Sequence, residues 1–127
     1  MTAPKAKDLK KIKTPQSEKY WLDSLIPLSV RLWLDACLRP LYPGDDNYYW
    51  TIDTKTGLID VNGSFSCSGQ GLSDLKGVKF GLVLGYFNCS HNNLKQSTEG
   101  LPLKIIGRFY SHNNTEKIKK QEIDSFF

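Results

Sequence analysis

The chain has 127 residues, 39% hydrophobic and 24% charged, with a formal charge of +4; that length fits one domain able to bury a core without disulfides or metals. No apolar run approaches the roughly 18 residues of a membrane helix, and three cysteines, an odd set, argue for reduced thiols over a disulfide framework. Residues 1–19 carry six lysines against Asp8 and Glu18, whereas residues 20–127 carry 11 basic and 11 acidic side chains, which speaks against the broad basic face of a duplex-binding fold.

Residues 1–13 (MTAPKAKDLKKIK) hold Lys5, Lys7, Lys10, Lys11 and Lys13 with little apolar content. Such a segment cannot bury enough surface to offset its ordering entropy, so a flexible basic arm is expected. No signal-type apolar core follows it, so an intracellular, cytoplasmic protein is expected. Thr14-Pro15 is a helix-start signal, with Thr as the cap and Pro at the first helical position. This helix is predicted to reach about Leu25, burying Trp21, Leu22, Leu25 and Ile26, and to be broken by Pro27.

Val30, Trp33, Leu34, Cys37 and Leu38 follow the i, i+3, i+4, i+7, i+8 spacing of a second, amphipathic helix. Arg39–Asp46 (RPLYPGDD) reads as a connector, because it has two prolines and a glycine. Tyr48–Asp53 and Gly57–Val61 read as strands around a turn at Thr54-Lys55-Thr56.

From Asn62 the chain repeats itself. GSFSCSGQGL (63–72) is echoed by GYFNCSHNNL (85–94) and GRFYSHNN (107–114), each 22 residues on. Phe65, Phe87 and Phe109 share one position, with Cys67 and Cys89 two residues later, and alternation at period 2 puts them on one face of short strands. A period of 20–29 with Asn and Leu after the strand is the pattern of stacked coils. Asn92, and Asn113 or Asn114, are expected to satisfy backbone groups of neighbouring coils, with Gln70 acting similarly in the first. The tail TEKIKKQEIDSFF reads as a helix started by Asn114 or Thr115. The predicted fold is therefore α+β: N-terminal helices cap a short, three-rung leucine-rich-repeat-like β solenoid, and a C-terminal helix closes it. Its expected divisions are the arm (1–13) and one domain (14–127), made of a helical cap (14–46), a repeat ladder (47–114) and the closing helix (115–127).

Chemistry has few footholds. Cys67 and Cys89 fall at core-facing positions while His91 and His112 fall in polar turns, and no C-x-x-C, H-x-x-x-H or H-E-x-x-H spacing occurs, so no metal is expected. No serine lies in G-x-S-x-G, and the glycines of GSFSCSGQGL precede neither a helix nor a Lys-Ser/Thr pair. No catalytic residue, cofactor or small-molecule substrate is assigned, and the chain is read as a non-enzyme. The outward residues of the ladder are the better candidates: Ser64, Ser66, Tyr86, Asn88, Arg108 and Tyr110 should oppose the Phe positions. Tyr and Arg dominate binding hot spots, so Tyr86, Asn88, Arg108 and Tyr110 are the candidate protein-binding residues.

TGLIDVNGSFSCSGQGLSDL and LGYFNCSHNNLKQSTEGLP resemble leucine-rich-repeat-like proteins encoded by phages and bacterial mobile elements, whose coils read G-x-F-x-C-S-x-N-x-L-x-x-L-x-G-x-P. The resemblance spans about Trp50–Asn114, with Ser97 standing at a position where those coils carry leucine. It implies non-catalytic binding of a host protein or ribonucleoprotein, in its concrete form a phage-type, anti-CRISPR-like inhibitor of a host defence factor. The alternative is RNA or ribonucleoprotein binding, in which the five arm lysines track phosphates while Tyr86, Tyr110 and Arg108 stack on bases.

Overall fold

The structure, a computed structural model, describes residues 26–121. Helix α1 (Leu28–Cys37) follows Pro27, whose carbonyl accepts the first intrahelical bonds from the N–H groups of Val30 and Arg31 at 3.0 and 3.1 Å. Its apolar stripe packs inward as the spacing predicts: Leu34 and Cys37 are buried, and Val30 and Trp33 lie against the core. The helix stops because Leu38 turns extended, and Arg39 Nη1 donates to the carbonyls of Ala36 and Leu38 at 2.6 and 3.0 Å, serving acceptors that the helix end leaves open.

Eight strands follow: β1 (Leu38–Arg39), β2 (Tyr49–Ile52), β3 (Leu58–Asn62), β4 (Ser64–Ser66), β5 (Lys79–Val83), β6 (Phe87–Asn88), β7 (Lys104–Ile105) and β8 (Phe109–Tyr110). They form two open mixed sheets, ordered β1-β4-β6-β8 and β2-β3-β5-β7. In each sheet the first pair is antiparallel and the rest are parallel. The β2–β3 turn is held by Asp53, whose Oδ1 accepts from the N–H groups of Lys55 and Thr56 at 2.8 and 3.2 Å.

The 22-residue echo sets the parallel register, with Phe65 opposite Phe87 and Phe87 opposite Phe109. Between the sheets Phe80 of β5 wedges against Phe65 and Phe87, ring centroids 4.8 and 5.1 Å away, while Ile59, Val61, Val83 and Ile105 complete the second sheet's buried side. Chain corners at Gly63, Gly85 and Gly107 carry β3, β5 and β7 of the second sheet into β4, β6 and β8 of the first. These corners stack backbone on backbone: Gly107 N donates to Gly85 O at 3.0 Å, and a Cβ on Gly107 would lie 2.6 Å from the Gly85 carbonyl.

Two expectations are corrected. The fold is α+β, but it is two open four-stranded mixed sheets with one described helix rather than a solenoid capped and closed by helices. At one end β1 and β2 pair onto the sheets as antiparallel strands, and at the other residues 115–121 form no helix. Asn114 explains the second point: its side chain is spent sideways on the neighbouring coil, Oδ1 accepting from Leu94 N–H at 2.9 Å and Nδ2 donating to Cys89 O and Ser111 O, so it starts no helix. Phe109 is half-buried, unlike Phe65 and Phe87 at the same repeat position, because β8 is the last strand and is covered from one side only. The arm 1–13, the helix expected over 14–25 and residues 122–127 lie outside the described residues. Among the described residues no helix is long and apolar enough to cross a membrane.

Candidate protein-binding face

With Phe65, Cys67, Phe87 and Cys89 buried inward, alternation turns the residues between them toward the other side of the first sheet. The register sets them in two rows: Arg39, Ser64, Tyr86 and Arg108 in one, Ser66, Asn88 and Tyr110 in the next. Neighbours in a row stand about 4.8 Å apart. Tyr86 and Tyr110 meet diagonally, edge to face, with centroids 5.9 Å apart and an interplanar angle of 76°. The backbone beneath them is fixed, since Phe65 N–H donates to Tyr86 O, Phe87 N–H to Arg108 O and Cys89 N–H to Tyr110 O at 2.8–2.9 Å.

All four candidate protein-binding residues come together on this face. Arg108 is exposed, and Tyr86, Asn88 and Tyr110 are half-buried. Asn88 is partly engaged already, because its Oδ1 accepts from the N–H and Oγ of Ser90 at 3.1 and 2.6 Å. Its amide N–H groups remain the useful donors. Ser64 differs from the outward position expected for it: it is 1% exposed and its Oγ accepts from Tyr86 N–H at 2.9 Å, packed against Gly85. It holds Tyr86 in place from below. Lys5, Lys7, Lys10, Lys11 and Lys13, the candidates for nucleic acid, lie outside the described residues.

The asparagines act as the spacing predicts. Asn92 accepts from Gln70 N–H and Leu72 N–H at 3.1 and 2.9 Å and donates to the carbonyls of Cys67, Cys89 and Ser90, while Asn114 rather than Asn113 repeats the arrangement one coil on. Gln70 departs from it. Its Oε1 accepts from Trp33 Nε1 at 2.8 Å and its Nε2 donates to Cys37 Sγ at 3.4 Å, so it fastens α1 to the first coil.

His91 and His112 meet edge to face at 4.8 Å on the surface, and the Asn113 amide lies 3.1 Å from His91 Nδ1. Among the described residues no three His, Cys, Asp or Glu side chains converge as a metal site. Burial pushes the thiols of Cys37, Cys67 and Cys89 up, Cys89 to about 12, although the Gln70 hydrogen bond works against this at Cys37. Protonated and enclosed, they are poor nucleophiles and poor ligands.

Arg39 is the member of the face that the sequence reading leaves in a connector. Only pairing of Arg39 with Ser64 reveals it, and a two-residue strand after a helix leaves no periodicity to read. No protein-family model, curated protein or solved structure matches the chain.

Proposed function

We propose that the chain is a non-catalytic protein-binding module whose contact surface is the outward face of the first sheet. The observation that carries this reading is the convergence of Tyr86, Asn88, Arg108 and Tyr110 in and just ahead of the adjacent hydrogen-bonded strands β6 and β8, with the two tyrosine rings in contact. Strand-borne side chains lose little conformational freedom on binding, so a rigid aromatic–guanidinium patch makes efficient contacts. The finer reading, a phage-type inhibitor of a host defence factor, draws its support from the sequence resemblance.

The test uses the full chain as bait in nuclease-treated bacterial lysate, beside the variant Tyr86→Ala/Arg108→Ala/Tyr110→Ala and a variant with the five arm lysines changed to Gln. None of the three face side chains fills the core, so the triple variant should keep its circular dichroism spectrum. A partner retained by the arm variant should lose about 2 kcal/mol or more of affinity, about 30-fold, to the triple variant. Equal capture by the folded triple variant overturns the reading. A target lost on nuclease treatment or with the arm lysines points to RNA instead.

A further inference from the structure

The row Arg39, Ser64, Tyr86, Arg108 runs across the first sheet, with Tyr86 and Arg108 one residue ahead of β6 and β8, and has an arginine at each end. Three strand steps of about 4.8 Å put the backbone positions of the two arginines about 14 Å apart. Both arginines are exposed, Tyr86 stands between them, and Tyr110 closes on it from the next row. The segments that make this face, residues 63–72, 85–94 and 107–114, contain no aspartate or glutamate. The carboxylates of the described residues lie in α1, in the connector, in the second sheet with its hairpin, or in the outer turns, as Asp35, Asp53, Asp60 and Glu116 do. A face with cations at its ends, aromatic rings at its centre and no acid in its three repeat segments is complementary to an anionic partner; Asp45, in the connector that leaves β1, is engaged by the N–H groups of Leu41 and Asn47.

We propose that this row docks an acidic, extended segment of the partner protein, lying across the strands with carboxylates at i and i+4 on Arg39 and Arg108 and its intervening residues over Tyr86 and Tyr110. This rests on the reading of the face as a protein-binding surface. In an extended chain residues i and i+4 lie on the same side about 13 Å apart, which matches the separation of the two arginines. A guanidinium takes a carboxylate through two parallel N–H bonds. Arg39 keeps donors for this after serving the α1 carbonyls with Nη1, because the group carries five N–H bonds. Tyrosine faces suit the apolar or aromatic side chains that flank the acids.

The test measures fluorescence anisotropy with the full chain and three labelled peptides of one length: two of the same composition, with glutamates at i and i+4 or at i and i+1, and a third with both glutamates replaced by glutamine. A single-stranded oligouridine is the fourth probe. The i, i+4 peptide should bind at least about tenfold more tightly than the glutamine peptide and more tightly than the i, i+1 peptide, and more weakly as salt rises. Arg108→Glu, at an exposed position, should remove that preference; Arg39→Gln should do the same, with circular dichroism reporting any effect of either change on the fold. Peptide binding that ignores both substitutions, or that fails to distinguish the spacings, overturns the inference. Oligouridine binding that is lost in Arg108→Glu while no peptide binds overturns it in favour of a nucleic acid. Failure here stays distinct from failure of the protein-binding reading: a captured partner lost to the triple variant but indifferent to Arg39→Gln and Arg108→Glu would keep the face and discard the acidic segment.

Discussion

Asn92 shows how much one side chain can hold. It is 6% exposed and makes five hydrogen bonds to the backbone of two coils, so truncation to Ala leaves buried donors and acceptors without partners, each costing about 1–3 kcal/mol. Asn92→Ala should lose more stability in urea than Asn113→Ala, whose side chain is exposed. Phe87, fully buried between Phe65 and Phe109 with centroids at 5.6 and 6.2 Å, should cost about 3–5 kcal/mol as Ala. Phe109→Ala should cost less, because its outer side is open. For the thiols, the folded state raises Cys89 from 9.0 to about 12 and Cys67 in the same direction. Their stability contribution is therefore complete below about pH 9 and is lost as pH climbs through the folded value. Melting temperature measured from neutral to strongly alkaline pH should fall more steeply for wild type than for Cys67→Ala/Cys89→Ala, whatever their offset at neutral pH. Parallel curves would mean that the thiols are not what burial opposes.

At the scale of elements, the corners limit substitution most. Gly107→Ala would push a methyl into the Gly85 carbonyl, whereas Gly69→Ala meets open space and only an unfavourable positive φ of 69°. The first should be the more destabilising by thermal melting, since the obstacle is backbone that cannot rotate away. The same comparison shows what was legible. α1 declared itself because Val30, Trp33, Leu34 and Cys37 make an unbroken helical stripe, and β4, β6 and β8 did so because the Gly-x-Phe echo is exact. β5 did not. Its Phe80 and Val83 both face the core across a register shift between Ile59 and Val61 of β3, so one extra residue breaks the period-2 pattern. Asp60 occupies that irregularity, its Oδ1 accepting from Leu82 N–H at 2.8 Å beside Gly81. The tail misled for a different reason: Asn114-Thr115 has the residue types of a helix cap, but both are committed to the coil behind them, Thr115 N–H donating to Leu94 O at 3.0 Å.

For the whole molecule, sequence repetition and the proposed binding surface have one origin. A spacing of 22 residues stacks like on like inside, where Phe and Cys recur, and leaves the outward positions free to differ: Ser64, Tyr86 and Arg108 share a position but not a chemistry. The face was legible from alternation alone except at Arg39, which joins it through antiparallel pairing, and at Ser64, which the fold uses as support. The two roles should separate in experiment. Substitutions in the Phe positions should shift stability and leave any partner's affinity for the remaining folded fraction unchanged, while substitutions at Tyr86, Arg108 and Tyr110 should do the reverse. Calorimetric melting beside binding by the same variants reads both.

The corner at Asn62-Gly63 also bears on how the protein ages. Asparagine before glycine is the pair most prone to close into a succinimide and lose its amide, because a glycine N–H can reach the side-chain carbon when the backbone is free to turn. Here Asn62 ends an extended strand opposite Tyr49, its Nδ2 donates to Asn47 O at 3.3 Å, and Gly63 is wedged within 2.7–3.0 Å of Arg39 O and Tyr48 Cβ, measured from where a Cβ would stand. Folding withholds the attacking geometry. Deamidation at Asn62, followed by peptide mass spectrometry over days of incubation, should thus be slow in the native protein and fast in urea. Its native rate would then count the moments at which this corner comes undone.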